Sequence, residues 1–288
     1  MPRRWAIALT AAAAVSTLVG GSASTAGAAP PSVLTGHVLI YGPSLARGNG
    51  FNEATAARSL GYTVAIADTI AWKALTEADF ARYDAIVVGD RGCPNSRRRY
   101  LRAATATRDR WTPAITGNVS VLGTDPVYHV RVSRLRGARR LIINGLRYAT
   151  SSSATGAYLA LGCSYAGELS AFTPVRLLSG FGPFTVRGQG AAPFNECPER
   201  VRIVEPSSPL VRNLEDGDLS NWQCAIHAGV DSYPHPFKAV AVHQPSSMPY
   251  LLTRPPTTAG ASDDLTVFPV ETSEHPLLPR TPVAPNVR

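Results

Sequence analysis

The sequence has little lysine and few charged residues, although its net charge is positive. Lys73 and Lys238 are the only lysines among 28 basic residues, and charged residues make up 17% of the 288-residue chain. Hydrophobic residues make up 44%, so a chain that is disordered throughout is excluded. No repeat of fixed period is visible, which excludes a solenoid or a propeller. The length favours one large domain or two small ones.

Two common cofactor signatures are also missing. No GxGxxG or phosphate-loop pattern follows the first apolar run at 37–42, so a nucleotide cofactor is not indicated. No CxxC pair with zinc spacing is present, so a structural zinc site is not expected. We therefore predict no cofactor and no metal. A nucleic-acid partner is not expected either, because no nucleic-acid motif or aromatic interleaving accompanies the basic residues.

The first 28 residues have the pattern of a secretory signal peptide. Arg3 and Arg4 precede an apolar run, and Ala26-Gly27-Ala28 fits a small-x-small cleavage site. The run is short for a membrane span, and no second long apolar stretch follows. We therefore predict a secreted, extracellular mature chain without a transmembrane segment. The arginine pair leaves both the general and the twin-arginine export routes open.

Apolar runs of strand length alternate with helical patterns. The runs that predict strands lie at 37–42, 63–68, 85–90, 119–125 and 157–163. Later runs that could extend or edge the same sheet lie at 184–188, 200–205, 237–243 and 249–253. This order predicts a flavodoxin-like α/β fold, in which helices cover both faces of a parallel sheet.

Caps mark several helices between these strands. Asn52 and Thr76 are placed to cap the segments EATAARSL and EADFARY, and 97–107 is also expected to be helical. Asp125 and Pro126 open the longest predicted helix, which continues to Ala149, with Asp125 as its N-cap. From Pro255 onward the composition becomes proline-rich. The chain is thus divided into a signal peptide (1–28), one α/β domain (29–254) and a C-terminal tail (255–288).

Four cysteines lie in the mature part, where an oxidising compartment favours two disulfides among three possible pairings. Cys93 and Cys163 both follow predicted strands at the same end of the sheet, and Cys197 and Cys224 flank the irregular 190–230 region. We favour the pairs Cys93–Cys163 and Cys197–Cys224, which would leave no cysteine nucleophile.

Two segments, ADFARYDAIVVGD and VEPSSPLVRNLEDGDLSNW, carry a family resemblance. The first, with the strand–helix–strand order before it, resembles the class I glutamine amidotransferase-like fold. The second is similar to the HP-x-x-x-G-L stretch of ThuA-like members, with Ser208 and Pro209 where that stretch carries His-Pro. The resemblance covers roughly residues 36–254 and implies that fold.

The same resemblance implies a catalytic position that this chain does not fully retain. Catalytic members carry a nucleophilic Cys on a sharp turn after a strand, and Cys163 is the counterpart here. The family's turn has Gly two residues before and two after the Cys, where this chain has Leu161 and Tyr165, with Gly162 directly before the Cys. His227 also lacks the Glu that the family's His-x-Glu pair requires.

In an open parallel sheet, ligands bind beyond the carboxyl ends of the strands. The residues predicted at that rim are acids, thiols, serines and one histidine, namely Ser44, Asp68, Asp90, Cys93, Asp125, His129, Cys163 and Ser164. Asp125 and His129 are four residues apart, so they share a helix face and could share a proton or a metal, although capping alone explains Asp125. The stretch 220–237, rich in aromatic residues and histidine, could line a pocket or cover the core.

Three functions remain open from the sequence, and whether the protein is an enzyme is one of the open points. The first is a non-catalytic domain that binds a small-molecule or cell-envelope ligand at the rim. The second is a cell-envelope hydrolase that uses Cys163, His227 and Asp231. The third is a basic module for envelope polyanions, since residues 95–150 contain twelve arginines and only two acids, Asp109 and Asp125.

Overall fold

A computed structural model describes residues 36–257, except for residues 49, 94–97, 193–196, 198 and 221. Within these residues the strands are β1 His37–Tyr41, β2 Thr63–Ala67, β3 Ala85–Val88, β4 Val119–Leu122, β5 Gly156–Ala160, β6 Thr173–Pro174, β7 Thr185–Gly188, β8 Val201–Ile203, β9 Ala228–Ser232, β10 Lys238–His243 and β11 Pro249–Arg254. The α-helices are α1 Glu53–Ser59, α2 Thr69–Ala74, α3 Glu77–Phe80, α4 Arg102–Ala106, α5 Arg108–Trp111, α6 Pro126–Ser133, α7 Arg136–Ala149, α8 Gly162–Tyr165 and α9 Asp216–Leu219. Short 3₁₀ segments cover Gly42–Ser44, Arg98–Leu101, Arg176–Phe181 and Pro209–Val211.

The larger sheet has eight strands in the order β2-β1-β3-β5-β4-β11-β10-β8. The first five are parallel, whereas β11, β10 and β8 each run antiparallel to the preceding strand in that order. The α/β prediction is confirmed, but the sheet is mixed rather than parallel throughout. One reason is the connection between β10 and β11, which spans residues 244–248 and is too short for a parallel crossover.

Both faces of the central parallel strands are buried, whereas the edge strand β2 exposes Thr63 and Ile66. In β1, Val38 and Ile40 belong to the hydrophobic core that contains α1 and α7. The alternate residues Leu39 and Tyr41 belong to the opposite core, which contains Trp72 of α2. Because successive side chains of a strand point to opposite faces, a run that is apolar at every position indicates burial on both sides. The fully buried β3 and β5 follow the same rule.

Helix caps agree with the sequence in two places and differ in a third. The side chains of Asn52 and Thr76 accept hydrogen bonds from backbone N–H groups of α1 and α3, as predicted. Asp125, in contrast, makes no side-chain cap on α6. The long helix predicted from Asp125 is in fact two helices, because Arg134 adopts a left-handed conformation with φ 55° between α6 and α7. The capping role predicted for Asp125 is therefore wrong, and its carboxylate is free to serve the site described below.

A second, antiparallel sheet has the order β6-β7-β9. The predicted strand 184–188 belongs to this sheet and not to the larger one, and β9 lies in a stretch for which the sequence predicts no strand. The backbone N–H groups of His227 and Ala228 donate to the Gly123 carbonyl at 2.9 and 2.8 Å. These bonds hold His227 against the carboxyl end of β4.

The predicted signal peptide and residues 258–288 of the predicted tail lie outside the described residues. Within the described part of the chain, no helix combines the length and apolar character needed to cross a membrane. Two disulfides are present, Cys93–Cys163 and Cys197–Cys224, and they are compatible with an extracellular protein.

Candidate functional site

The Cys93–Cys163 disulfide joins the carboxyl ends of two neighbouring parallel strands. Cys93 follows β3 and Cys163 follows β5, with the two sulfur atoms 2.03 Å apart. Cys197 and Cys224 form the second disulfide. Both pairs are those favoured from the sequence, and the described residues contain no free cysteine.

The turn after β5 is built on a close approach between two backbones. A Cβ atom at Gly162 would lie 2.4 Å from the carbonyl carbon of Thr124 and 2.9 Å from the backbone nitrogen of Asp125. Glycine is therefore required here, although the glycines expected two residues on either side of Cys163 are missing. The backbone N–H of Cys163 donates to Asp90 Oδ2 at 2.6 Å, so the ends of β3, β4 and β5 meet at this turn.

Asp125 forms a cluster with two histidines from different parts of the chain. Its side chain is fully buried, and Oδ1 lies 3.0 Å from Nε2 of His129 and 3.1 Å from Nε2 of His227. Both Nε2 atoms also lie close to the carbonyl oxygen of Cys224, at 3.2 and 3.0 Å. Each Nε2 therefore faces only hydrogen-bond acceptors among these contacts and must carry a proton.

The remaining polar atoms of this cluster face the disulfide. Asp125 Oδ2 lies 3.3 Å from both Sγ atoms of Cys93 and Cys163, and His227 Nδ1 lies 3.2 Å from Sγ of Cys93. A disulfide carries no proton, so the carboxylate and the sulfurs are in contact without a hydrogen bond.

Burial and charge set the pKa values of the central pair in opposite directions. Burial lowers the pKa of His227, but Asp125 outweighs this effect and the pKa is raised overall. Burial raises the pKa of Asp125, but the two histidines outweigh it and the pKa is lowered overall. Asp125 is therefore an anion near neutral pH, and its charge favours the cationic form of His227.

Two further carboxyl groups lie buried beneath the cluster. Burial, reinforced by the charge of Asp125, raises the pKa of Asp90 to about 8. Burial raises the pKa of Glu53 to about 7, and its Oε1 accepts the backbone N–H of Asp90 at 3.2 Å. No sequence pattern indicates this role for Glu53, which resembles any acidic residue in the first turn of a helix.

A cavity of about 310 Å³ opens onto the cluster, and we refer to it as the histidine pocket. Its lining residues are Cys93, Asp125, Tyr128, His129, Gln189, Gln223, Cys224 and His227. Nδ1 of His129 is buried and has no hydrogen-bond partner within the described part of the chain. Gln223 has φ 73°, a left-handed conformation that is uncommon for a residue with a side chain. Tyr128, Gln189 and Gln223 are absent from the residues predicted for the site, although Gln223 lies in the 220–237 stretch suggested as a pocket lining.

Several predicted site residues lie elsewhere. Asp231 accepts hydrogen bonds from Arg187 Nε at 2.6 Å and from the backbone N–H of Phe172 at 2.7 Å. The Cys163–His227–Asp231 arrangement is thus not assembled in this structure, because Cys163 is in a disulfide and the carboxylate against His227 is that of Asp125.

The two predicted serines support the rim from outside the pocket lining. Ser44 donates to the carbonyl of Tyr41 at 2.7 Å and accepts the N–H of Gly89 at 2.9 Å. The hydroxyl of Ser164 shares a hydrogen bond with that of Tyr100 at 2.5 Å. Asp68 caps α2 by accepting two backbone N–H groups.

The cluster also contains a set of potential metal ligands. One donor atom from each of Cys93, Asp125, Cys163 and His227 lies within 4.8 Å of the others. Metal binding by cysteine requires thiolates, and both sulfurs are joined in the disulfide. With the disulfide formed, this set of four residues offers a metal ion only the carboxylate of Asp125 and the imidazole of His227.

A second cavity, of about 610 Å³, is lined by Gly50, Phe51, Val130, Arg131, Arg134, Leu135, Arg136 and Arg139. We refer to it as the arginine groove. All four arginines are exposed, and the guanidinium of Arg139 lies 4.5 Å from the centre of the Phe51 ring. Across the described residues, none of the four is in an ion pair with a carboxylate.

Comparison of the chain with protein-family models, curated proteins and solved structures found no match.

Proposed function

We propose that this protein is an extracellular ligand-binding domain with a glutamine amidotransferase-like fold and without an intact amidotransferase triad. Its site is the histidine pocket, and its ligand is a small molecule rich in hydroxyl groups, such as a sugar or polyol unit of a cell envelope. The observation that carries this proposal is that His129 lines the pocket and has a buried Nδ1 atom without a hydrogen-bond partner in the described chain.

The protonation of the cluster defines what the ligand must supply. The single negative charge of Asp125 balances one imidazolium, which we assign to His227 because its pKa is raised. In the neutral form of His129, the ring proton lies on Nε2, which faces Asp125 and the Cys224 carbonyl. Nδ1 is consequently an acceptor, and a buried acceptor without a partner is costly. A ligand O–H group would satisfy it.

The other lining residues support an uncharged polar ligand. Gln189 and Gln223 carry amide groups that both donate and accept, and Tyr128 adds a hydroxyl and an aromatic ring. The one carboxylate in the lining, Asp125, is already paired with His227. The position of the pocket also supports the proposal, since it lies at the carboxyl ends of parallel strands.

A binding screen tests this function. Purified protein would be titrated with monosaccharides and polyols, and in parallel with carboxylic acids and amines of similar size that lack hydroxyl groups. We expect binding only in the hydroxyl-rich set. The variant His129→Gln retains a donor near the position of Nε2 and removes the Nδ1 acceptor, so affinity should fall by about tenfold or more.

His37→Gln is the matched control, because His37 is exposed on β1 and lies outside the pocket lining. It should leave affinity unchanged. Absence of binding to any hydroxyl-rich compound at millimolar concentration would reject the proposal, as would binding that His129→Gln leaves unaltered.

A second candidate function rests on the arginine groove. Four exposed arginines without an acidic neighbour in the groove lining form a concentrated positive surface. This observation favours binding of an envelope polyanion, such as a phosphodiester polymer, through charge-assisted contacts. The groove contains only some of the arginines of the basic 95–150 region. Arg98, for example, lies outside the groove lining and pairs with Glu168.

Binding to a glycerol-phosphate polymer at increasing salt concentration tests this second function. The double variant Arg134→Glu/Arg136→Glu should lose binding at low salt, whereas Arg58→Glu/Arg212→Glu alters exposed arginines outside the groove and should retain most of it. Equal losses in both double variants would indicate a general effect of net charge and would overturn the assignment to the groove.

A further inference from the structure

The two cysteines of the Cys93–Cys163 disulfide differ in accessibility. Cys93 is only partly buried and lines the histidine pocket. Cys163 has a relative exposure of 1% and is not part of the lining. An external thiol that enters the pocket can therefore reach the sulfur of Cys93, while Cys163 is shielded. This asymmetry is the one that thiol–disulfide exchange requires, because one sulfur is attacked and the other leaves.

Acid–base groups already surround both sulfurs. Asp125 Oδ2 is 3.3 Å from each sulfur, and His227 Nδ1 is 3.2 Å from that of Cys93. A disulfide that only cross-links the chain has no need of them, since it carries no proton. After reduction, however, each thiol would find a hydrogen-bond acceptor in place, and a Cys93 thiolate would face the imidazole of His227. An adjacent imidazolium stabilises a thiolate.

We propose that the Cys93–Cys163 disulfide is a thiol–disulfide exchange site that oxidises a thiol-bearing substrate in the histidine pocket. In the first step, a substrate thiolate attacks Sγ of Cys93. A bond forms between substrate sulfur and Cys93 while the Cys93–Cys163 bond breaks. Cys163 leaves with the bonding electron pair and takes up a proton, which can pass from His227 through Asp125 because this carboxylate contacts both residues.

The second step completes a balanced two-electron reaction. His227 first takes back one of the protons that the substrate thiols release. A second substrate thiolate then attacks the substrate sulfur of the mixed disulfide, and Cys93 leaves as a thiolate beside the imidazolium of His227 and takes up the other released proton. Two substrate thiols become one substrate disulfide, and the protein disulfide becomes two thiols. The two electrons reside on Cys93 and Cys163, and the two protons lost by the substrate thiols balance those gained by the protein. The reverse reaction with a substrate disulfide restores the starting state.

The second disulfide provides an internal comparison. Cys197 is exposed and Cys224 is partly buried, so accessibility alone would favour attack there. Sγ of Cys197 is approached by Gln189 Nε2 at 3.1 Å and lies 3.7 Å from Glu199 Oε1. Among the described residues, the titratable groups clustered with these sulfurs include a carboxylate but no histidine. If acid–base assistance decides the rate, the less exposed Cys93–Cys163 bond should react first.

The experiment treats the folded protein with reduced glutathione and stops the reaction at intervals with an alkylating reagent. Peptide mass spectrometry then follows each cysteine separately. We expect Cys93–Cys163 to open roughly tenfold faster than Cys197–Cys224. In the Cys163→Ser variant, oxidised glutathione should form a mixed disulfide on Cys93. Faster opening of Cys197–Cys224, or glutathione trapped on Cys163 in the wild-type protein, would overturn the proposal.

His227 is a positioning and proton-donating group in this scheme, and a separate readout tests it. In Cys163→Ser, the pKa of the Cys93 thiol can be followed by thiolate absorbance. Adding His227→Gln should raise that pKa, because the imidazolium is lost while the carboxylate of Asp125 remains nearby. Adding His37→Gln should leave it unchanged. An unchanged pKa in the His227→Gln variant would also reject the scheme, and this readout does not depend on any hydroxyl-bearing ligand.

Discussion

The histidine pocket and the arginine groove both receive residues from α6, yet they handle charge in opposite ways. Tyr128 and His129 line the pocket, whereas Val130 and Arg131 line the groove. In the pocket, the charged Asp125 is fully buried and lies against two imidazoles. In the groove, four guanidinium groups are exposed and no carboxylate neutralises them.

On the two functions proposed above, this difference would separate two kinds of recognition. The buried cluster is preorganised, so its geometry can select a ligand atom by atom. The exposed arginines keep their hydration and rotamer freedom, so they attract charge at long range with little geometric selection. The energetic consequences differ as well, because removal of a buried partner is costly and removal of a solvated one is not.

The largest effect on stability should come from Asp125→Asn. The substitution keeps the shape of the side chain but leaves the buried imidazolium of His227 without its counter-ion. Breaking a buried ion pair in this way costs about 3–5 kcal/mol of unfolding free energy. Urea denaturation near pH 6, where His227 is charged, measures the loss. If the unfolding free energy changes by less than about 1 kcal/mol, the Asp125–His227 pair behaves like a solvent-exposed ion pair, and the energetic difference between pocket and groove disappears.

A smaller loss is expected when the backbone frame of the pocket is disturbed. In Gly162→Ala, the new methyl group would meet the backbone of Thr124 at 2.4 Å, so the ends of β4 and β5 must separate. Overpacking of this kind costs about 1–3 kcal/mol. Gly167→Ala is the matched control, because a Cβ there meets nothing within 4 Å. The denaturation midpoint of Gly162→Ala should lie clearly below that of Gly167→Ala. Equal midpoints would argue against the close approach between Gly162 and Thr124.

The pH dependence of stability should reveal the buried carboxyls beneath the pocket. The pKa of Asp90 is about 8 in the folded protein and 3.8 when unperturbed, so the folded state binds more protons between these values. Asp90 contributes fully to the unfolding free energy below pH 3.8, where the group is protonated in both states. As the pH rises from 3.8 to about 8, the unfolding free energy falls by about 1.4 kcal/mol per pH unit. The raised pKa values of Glu53 and His227 act in the same direction.

Asp90→Asn tests this assignment, since an amide does not titrate in the window. Denaturation at intervals between about pH 5 and pH 8 should show a shallower decline for the variant than for the wild-type protein. That range avoids the opposing contribution of Asp125, whose lowered pKa makes stability fall only under more acidic conditions. Identical slopes in the two proteins would contradict the buried, protonated state of Asp90.

The smallest effect is expected in the groove. Arg136 is exposed at the first position of α7, where a cation faces the positive end of the helix dipole. Arg136→Ala should therefore change the unfolding free energy by less than about 0.5 kcal/mol, in the stabilising direction. Thermal and urea denaturation both measure it. A loss above about 1 kcal/mol would show that the groove is a structural element rather than a solvated surface.

The sequence predicts the parallel half of the fold well because that half follows local rules. Fully apolar runs mark strands buried on both faces, and Asn52 and Thr76 mark two helix starts. The apolar runs of β8 and β11 do not show whether these strands are parallel or antiparallel to their neighbours, because a buried strand has the same apolar pattern in either direction. β9 escapes prediction because its five residues, AGVDS, include glycine and aspartate, which are poor strand formers.

The candidate site is predictable in part for a similar reason. Cys93, Asp125 and Cys163 follow strands of one parallel set, so topology alone brings them to one edge. His227 arrives there through the backbone bonds of β9 to Gly123, which are long-range and leave no local pattern. The break at Arg134 contains neither glycine nor proline, so it could not be anticipated, yet it shapes the groove.

The place of β11 has a consequence for how the chain reaches its native state. Residues 249–254 lie between β4 and β10, and in the larger sheet β10 and β8 connect to the parallel strands only through β11. During synthesis, β4 therefore keeps an open edge of unpaired backbone groups until residues 249–254 have also been made. Such a late, long-range closure slows folding. It also leaves the growing chain with an unpaired edge strand, which can pair with a strand of another chain.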